Sequence, residues 1–242
     1  MDAIKTVNLT KRYRTLTAVD RLSLTVREGE LFSLLGINGA GKTTTIKMLS
    51  CLCAPSEGEA YLLGKSIADE SDEIKKFIAL SPQETAIAPG LSARENLELI
   101  CGIHGFNKEK TQKKIAQLSS LLGLESILSR KSGKLSGGWQ RRLSIAMALI
   151  SEPKILFLDE PTLGLDVIAR SELWDIIRSL KGRVTIILTT HYMEEAEALS
   201  DRIAIMKDGR LLVCDTAEAI KKSAGTDSFE QAFVLTVKGA VK

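Results

Sequence analysis

The sequence predicts an α/β fold, and three observations support this prediction. Two short apolar runs, KILFLDEP and VTIILTTH, have the length and composition of buried parallel strands. Residues 1–35 alternate apolar and polar side chains and are rich in strand-forming types. From about residue 92 to 150, apolar residues recur at helical spacing. We therefore expect a sheet core that begins and ends with antiparallel strands, with a helical insertion in the middle.

Local signals place the individual elements along the chain. The strand LFSLL leads into a helix, KTTTIKMLSCL, in which Cys51 and Cys53 are expected to be small core residues. Ser92 followed by Glu95 predicts a capping box at the start of the helix LSARENLELI. SELWDIIRSL is an amphipathic helix pattern, and DRIAIMKDGRLLV predicts a hairpin that turns at Asp208-Gly209.

Composition argues against several classes of protein. The 242 residues are 44% hydrophobic with a net charge of +3, too mild an excess to predict a nucleic-acid partner. Four cysteines without a CxxC pair and two histidines do not suggest a zinc site, and we expect reduced thiols. No apolar run approaches a membrane span of ~20 residues, and no secretory signal is expected. Arg141 and Arg142 are interpreted as solvated surface.

The stretch GINGAGKTTT has the spacing of a phosphate-binding loop between a strand and a helix. Glycines let backbone N–H groups surround phosphate oxygens, and the positive N-terminal end of the helix attracts the same anion. Lys42 can reach the β- and γ-phosphates, and the Thr43 hydroxyl can hold Mg²⁺. The predicted phosphate-binding residues are Gly36, Asn38, Gly39, Ala40, Gly41, Lys42, Thr43 and Thr44.

Two acids end the apolar run ILFLDE, at the strand end where α/β sheets place ligand chemistry. Asp159 suits coordination of Mg²⁺, and Glu160 is placed to polarise an attacking water. Such a base needs only to orient the water, because phosphoryl transfer depends mainly on positioning and charge stabilisation. By itself the pair is a weak signal, but a phosphate loop upstream makes it strong.

A third motif, LSGGWQRR, places Ser136, Gly137 and Gly138 before the helix RRLSIAMALI. A helix N-terminus with glycines and a hydroxyl can bind a second anion. Taken alone, the same residues would more often be an ordinary helix cap.

The ordered set of phosphate loop, Gln83, LSGG, LDEP, LGLD and His191 resembles the nucleotide-binding subunit of an ATP-binding-cassette (ABC) transporter. The resemblance covers nearly the whole chain. It implies a P-loop NTPase core, a mixed sheet with flanking helices, plus an antiparallel β subdomain and an inserted helical subdomain. One domain would span residues 1–242: residues 1–90 and 151–242 form the core with the β subdomain, and residues 91–150 the helical subdomain.

The resemblance also implies roles for single residues. Tyr13 resembles the aromatic residue that stacks on adenine, although a half-buried strand tyrosine is the alternative. Gln83 resembles the glutamine that contacts Mg²⁺ and the water, and that links the site to the membrane subunit. Asp166 resembles the aspartate that crosses the dimer interface, and His191 the histidine that contacts the γ-phosphate. Trp139 departs from the pattern, because it replaces the usual glutamine after LSGG.

The family implies two ATP-binding subunits that meet head to tail around two ATP–Mg²⁺, as a homo- or heterodimer. Each ATP would contact the phosphate loop of one chain and the LSGG motif of the other. TTHYMEEAEALSDRIAIMKDGRL and SFEQAFVLTV resemble the branch of daunorubicin-type drug exporters and lipid exporters. We therefore expect an ATPase that works with a membrane-spanning permease on the cytoplasmic face of the cell membrane. A soluble ABC-type ATPase acting on DNA or ribosomes, or an importer ATPase, is the alternative.

Overall fold

The computed structural model describes residues 1–239 of the chain, and its strands and helices follow the expected order. The strands are β1 (Asp2–Tyr13), β2 (Leu16–Arg27), β3 (Leu31–Leu35), β4 (Glu57–Leu62), β5 (Lys65–Ser66), β6 (Ile78–Ser81), β7 (Ile155–Asp159), β8 (Thr185–Thr190), β9 (Arg202–Lys207) and β10 (Arg210–Asp215). The α-helices are α1 (Lys42–Leu49), α2 (Ser71–Ile74), α3 (Ala93–Ile103), α4 (Lys108–Leu122), α5 (Gly137–Leu149), α6 (Val167–Leu180), α7 (Met193–Leu199), α8 (Ala217–Ala224) and α9 (Phe229–Val237).

The central sheet has the strand order β10-β9-β3-β8-β7-β6. All neighbours from β9 to β6 are parallel, and β10 pairs antiparallel with β9 at the edge. Strands β3, β7 and β8 are buried at every position, which explains why they are continuous apolar runs rather than alternating ones. Because these strands are parallel, their carboxyl ends lie along one edge of the sheet, and the loops that follow them meet there.

A second, antiparallel sheet has the order β2-β1-β4-β5. Its inner face and α1 share one apolar cluster with the central sheet, in which Leu9, Ile46 and Leu62 pack with Phe32 and Phe157. This layer therefore covers one face of the central sheet and supports α1 from behind.

The helical region covers the opposite face. Helices α3, α4 and α5 bury Leu97, Leu118 and Leu143 in a cluster that includes Leu156 and Ile186 of the central sheet. The predicted capping box is confirmed: Ser92 Oγ accepts from the Glu95 amide at 3.2 Å, and the Glu95 carboxylate accepts from the Ser92 amide at 2.6 Å. The two bonds fix where the chain enters this region.

Two local predictions had different outcomes. The hairpin of β9 and β10 turns at Asp208 and Gly209, and both have the positive φ that a tight hairpin needs. The expected helical position of Cys51 and Cys53 is wrong, because α1 ends at Leu49 and Cys51 has a φ of 57°. Both thiols are half-buried beside the core rather than inside a helix. No helix within residues 1–239 is both long and apolar enough to span a bilayer.

Candidate nucleotide-binding site

The loop between β3 and α1 requires glycine at two positions for steric reasons. A Cβ on Gly36 would lie 2.5 Å from the Met206 carbonyl oxygen, and a Cβ on Gly41 would lie 2.5 Å from that of Ala18. Gly41 also has a φ of 99°, which residues with a side chain rarely adopt, and it caps α1. The neighbouring backbone thus holds the loop tightly over the N-terminus of α1.

Lys42 is the first residue of α1, and its side chain folds back over the loop. The ammonium donates to the carbonyl of Gly36 at 2.7 Å and to that of Ile37 at 3.3 Å. It also lies 3.2 Å from Oε1 of Glu160. Because the side chain is buried, its positive charge needs these partners to compensate for the lost contact with water.

Asp159 ends β7 directly behind the loop. Its Oδ1 accepts from the hydroxyl of Thr43 at 3.2 Å and from that of Thr189 at 2.5 Å. Thr189 was not singled out from the sequence, yet its hydroxyl also accepts from the Glu160 amide at 2.9 Å. One threonine on β8 therefore orients both acids at the end of β7.

Glu160 has a strained backbone and a fully engaged carboxylate. Its φ is 48°, a left-handed conformation that is uncommon for a residue with a side chain and that clusters at functional sites. Oε1 faces Lys42, and Oε2 accepts from Nδ1 of His191 at 2.7 Å. The motifs of three different strand ends thus meet at one buried carboxylate.

These residues surround a cavity of about 620 Å³, a volume typical of small-molecule sites. Its wall consists of Leu16, Thr17, Ala18, Asn38, Gly39, Ala40, Gly41, Lys42, Thr43, Thr44, Gln83, Glu160, Leu163, His191 and Asp208. Most of the predicted phosphate-binding residues therefore line it, together with Gln83, Glu160 and His191. Gly36 lies beneath the loop, and Asp159 lies behind Thr43.

Tyr13 is not part of this cavity wall. It ends β1 opposite Leu16, is 45% exposed, and lies beneath the ammonium of Lys11, 5.1 Å from its ring centre. Leu16 is 64% exposed and does line the cavity. The paired ends of β1 and β2 thus place Tyr13 next to Leu16, at the edge of the cavity. The stacking role of Tyr13 stays a prediction.

The LSGG motif lies outside the cavity of its own chain. Ser136 and Gly137 are exposed at the start of α5, and the Ser136 side chain makes no capping hydrogen bond. A Cβ on Gly138 would lie 3.0 Å from that of Ala169, so α5 packs closely against the start of α6. Asp166 caps α6 by accepting from the Ala169 amide at 2.9 Å. The motif and Asp166 therefore lie beside one another.

The interpretation of Arg141 as solvated surface is wrong. Its side chain is 4% exposed and donates to the carbonyls of Pro82 at 2.6 Å and Gln83 at 2.5 Å. Burial lowers the pKa of this guanidinium, and the carboxylates of Asp159 and Glu195 oppose the shift. Arg141 ties α5 to the segment that carries Gln83.

Arg142 is also more covered than expected. It pairs with Glu172, and its guanidinium lies 4.7 Å from the ring centre of Trp139. The substituted residue of the LSGG motif is thus half-buried under a cation from its own helix.

The donor set near the loop fits Mg²⁺. Within residues 1–239, no group of three or more His, Cys, Asp or Glu side chains could hold a metal ion. Mg²⁺, however, usually takes one or two carboxylates and completes its shell with substrate phosphates and water. Asp159 and the Thr43 hydroxyl lie together, and Gln83 lines the same cavity, so the available oxygens match that requirement.

Comparison with known proteins identifies the family. A family model described as "ABC transporter" matches residues 19–163. The chain belongs to the ABC transporter family. The predicted family, the α/β fold with a P-loop NTPase core, and the ATP-binding and ATP-hydrolysing role of the chain are thereby confirmed.

Relatives with curated names share about 40% identity. The daunorubicin/doxorubicin resistance ATP-binding protein DrrA of Streptomyces peucetius is 39% identical over 226 residues, which cover 93% of this chain and 68% of that protein. The phospholipid-transporting ATPase ABCA3 of Homo sapiens is 41% identical over 226 residues, covering 92% of this chain but 13% of that protein. The chain therefore spans a small part of one relative and about two thirds of the other.

A solved structure matches the fold. It is a dimeric structure of a post-hydrolysis state of the ATP-binding cassette MJ0796, bound to ADP and Pi. The match has a TM-score of 0.79 and 30% identity, and it covers 88% of this chain and 98% of that one.

Proposed function

We propose that this chain is the ATP-hydrolysing subunit of an ABC exporter, and that it works as a head-to-tail dimer with a membrane-spanning permease. The observation that carries the proposal is the meeting of Lys42, Glu160 and His191 at one cavity, while the LSGG motif lies outside its wall. A complete phosphate site and a separate half-site in the same chain are what a shared, two-chain active site needs.

Binding of the nucleotide follows from the loop and from α1. The backbone N–H groups of Gly39, Gly41 and Lys42 and the positive end of α1 attract phosphate oxygens. Lys42 then exchanges a loop carbonyl for a phosphate oxygen, because a charge-assisted bond to an anion is stronger than one to a neutral carbonyl. The apolar side chain of Leu16, with Tyr13 beside it, provides a surface for the base.

Hydrolysis depends on Glu160. Its carboxylate orients the attacking water, while His191 fixes the carboxylate through the 2.7 Å bond and faces the γ-phosphate. Thr43, Asp159 and Gln83 would hold Mg²⁺, which neutralises phosphate charge when bound. Thr189 keeps Asp159 and Glu160 in their relative positions throughout.

The second half of each site comes from the partner chain. Ser136, Gly137 and Gly138 present the N-terminus of α5 to solvent, where it can bind the γ-phosphate held by the other chain. Val167 and Ile168, next to Asp166, are 79% and 72% exposed, so an apolar surface adjoins the motif. Covering that surface would favour association, and Asp166 would cross the interface.

The direction of transport rests on the relatives. Those named above act in daunorubicin and doxorubicin resistance or transport phospholipids, which supports an exporter located on the cytoplasmic face of the membrane. An ATPase acting on DNA or ribosomes, or an importer subunit, is the alternative. A gene for a multi-span membrane protein beside this one would support the transporter, and its consistent absence would count against it.

The Glu160→Gln variant tests the catalytic assignment. The amide keeps the shape but not the negative charge, so we expect hydrolysis to fall by roughly 10²–10⁴-fold while ATP binding is retained. ATP–Mg²⁺ should then hold two chains together on size-exclusion chromatography. Glu98→Gln, at an exposed position of α3, is the matched control and should hydrolyse ATP normally. Near-normal turnover of Glu160→Gln would contradict the assignment.

A further inference from the structure

Glu195 of α7 is a fully buried acid that the mechanism above does not use. Its side chain is 0% exposed, and it lies four residues beyond His191. Burying a carboxylate is unfavourable unless hydrogen bonds compensate for the lost water. The partners of Glu195 therefore indicate what the acid does.

Trp174 bonds the Glu195 carboxylate, and side chains of two further segments influence its ionisation. Oε1 accepts from Nε1 of Trp174 on α6 at 3.0 Å. The hydroxyls of Thr190 and Thr162 lower the pKa of Glu195 and so favour its ionised form. Thr190 ends β8 directly before His191, and Thr162 lies in the loop from Glu160 to Asp166. Glu195 thus lies where the histidine turn, the aspartate loop and α6 meet.

One of these contacts is incomplete. Within residues 1–239, neither Oε2 of Glu195 nor Oγ1 of Thr162 has a hydrogen-bond partner, although both atoms are buried. Folded proteins contain few such atoms, and each one calls for an explanation. Here two unsatisfied oxygens belong to neighbouring side chains, one of which can donate to the other.

The groups around Glu195 shift its pKa in opposite directions. Burial raises the pKa of Glu195, and the negative charge of Glu160 adds to the increase. The hydroxyls and Trp174 act in the opposite direction. The charge of the same carboxylate raises the pKa of Arg141 on α5.

We propose that Glu195 is a positioning residue for ATP hydrolysis. Through Thr190 it holds the turn of His191, and through Thr162 it holds the loop that runs from Glu160 to Asp166. The Thr162 hydroxyl donates to Glu195 Oε2 when that loop settles against the partner chain, a step that rests on the proposed dimer. The bond thereby couples closure of the interface to alignment of Glu160 and His191.

The geometry explains why alignment should depend on this acid. Thr162 is two residues after Glu160, Thr190 is one residue before His191, and those two catalytic side chains bond each other at 2.7 Å. Displacing reacting groups by about 1 Å can lower a rate about 100-fold. Loss of Glu195 should therefore lower turnover more than nucleotide binding, which depends on the loop at α1.

Two substitutions separate hydrogen bonding from volume. Glu195→Leu fills the site but accepts no bond, whereas Glu195→Gln can accept from Trp174 and donate to Thr162. We expect Glu195→Leu to lower kcat about 10-fold or more with KM for ATP changed less than about threefold, and Glu195→Gln to remain within about threefold of wild type. Glu194→Leu, at the exposed position one residue earlier, is the control and should leave kcat unchanged.

Trp174 provides a readout of the contact itself. The chain has two tryptophans, so a Trp139→Phe background leaves Trp174 as the single reporter. Glu195→Leu should shift its emission, and Glu195→Gln should restore it. If Glu195→Leu does not fold, Thr162→Val takes its place, because it removes one hydroxyl and keeps the shape. We expect that variant to lower kcat about threefold to tenfold and to leave ATP binding by the single chain unchanged.

Three results would overturn the proposal. The first is a kcat of Glu195→Leu within threefold of its parent despite an altered Trp174 emission. The second is an equal loss of single-chain ATP affinity, since that would indicate general damage rather than positioning. The third is normal turnover of Thr162→Val. A wild-type chain without ATP turnover would overturn the proposed function as well, whereas normal wild-type turnover with an unaffected Glu195→Leu overturns this inference alone.

Discussion

Two helices of the molecule have glycine at or next to their first residue, and they differ in what surrounds them. At α1, the loop is backed by buried Lys42 and by Asp159, and it opens into a cavity of about 620 Å³. At α5, Ser136 and Gly137 are exposed and do not line that cavity. A helix N-terminus attracts anions in either case, but only the neighbouring strand ends convert it into a site. The first N-terminus lies in a cavity formed within one chain, and in the dimer that we propose the second is the half of a site that another chain completes.

Substitution of Ser136 gives the largest expected effect on this comparison. Asp and Asn both cap helices as well as Ser, so each should leave α5 folded. A carboxylate facing the partner's phosphate costs several kcal/mol, and we expect Ser136→Asp to lower ATP-dependent turnover on the order of 10²-fold or more. Ser136→Asn has nearly the same shape as Ser136→Asp but no charge, so it should have a much smaller effect. Steady-state ATPase assays and size-exclusion chromatography with ATP–Mg²⁺ measure both.

Substitutions at α5 and at α1 should differ in their effect on ATP binding by the single chain. Titration of single chains with a fluorescent ATP analogue should give a normal affinity for Ser136→Asp. Lys42→Ala should lower that affinity by about 10–100-fold, because it removes a charged donor to the phosphates. Gly138→Asp is a less clean probe, since a Cβ there already lies 3.0 Å from Ala169. If Ser136→Asp weakened single-chain binding as much as Lys42→Ala, the half-site interpretation would be wrong.

The sequence predicted what depends on short spacing. The phosphate loop, the acids after β7 and the capping box at Ser92 are each set within one short stretch, and periodicity was enough to predict the α/β fold. Arg141, Thr189 and Glu195 could not be found in this way, because their partners lie in distant segments. Arg141 bonds carbonyls more than 50 residues away, and nothing adjacent distinguishes it from a solvated arginine. Only the packed structure shows which face of its helix is buried.

The position of the α5 N-terminus relative to the α1 site depends on Arg141, which attaches α5 to the segment of Pro82 and Gln83. Arg141→Lys keeps the charge but cannot reach two carbonyls in a fork, so each carbonyl left without a donor should cost about 1–3 kcal/mol. For a domain of this size, Tm should fall by roughly 2–4 °C per kcal/mol. Arg142→Lys is the matched control: a lysine can still pair with the exposed Glu172, so the change should cost less than about 1 kcal/mol. Calorimetry of both variants decides, and equal shifts would contradict the tie between α5 and Gln83.

The smallest expected effect lies at the far end of the α1 site, where the base would bind. Leu16 lines the cavity, whereas Tyr13 stands opposite it in β1 with an exposed ring. An aromatic contact contributes about 0.5–1.5 kcal/mol, so Tyr13→Ala should lower ATP affinity by about 2–10-fold, and Tyr13→Phe should keep it. Inorganic tripolyphosphate, which lacks a base, is the internal control, and its affinity should not change. Leu16→Ala is the matched variant on the cavity wall. A loss of ATP affinity in Leu16→Ala together with none in Tyr13→Ala would assign the base to Leu16 alone and leave Tyr13 an ordinary strand residue.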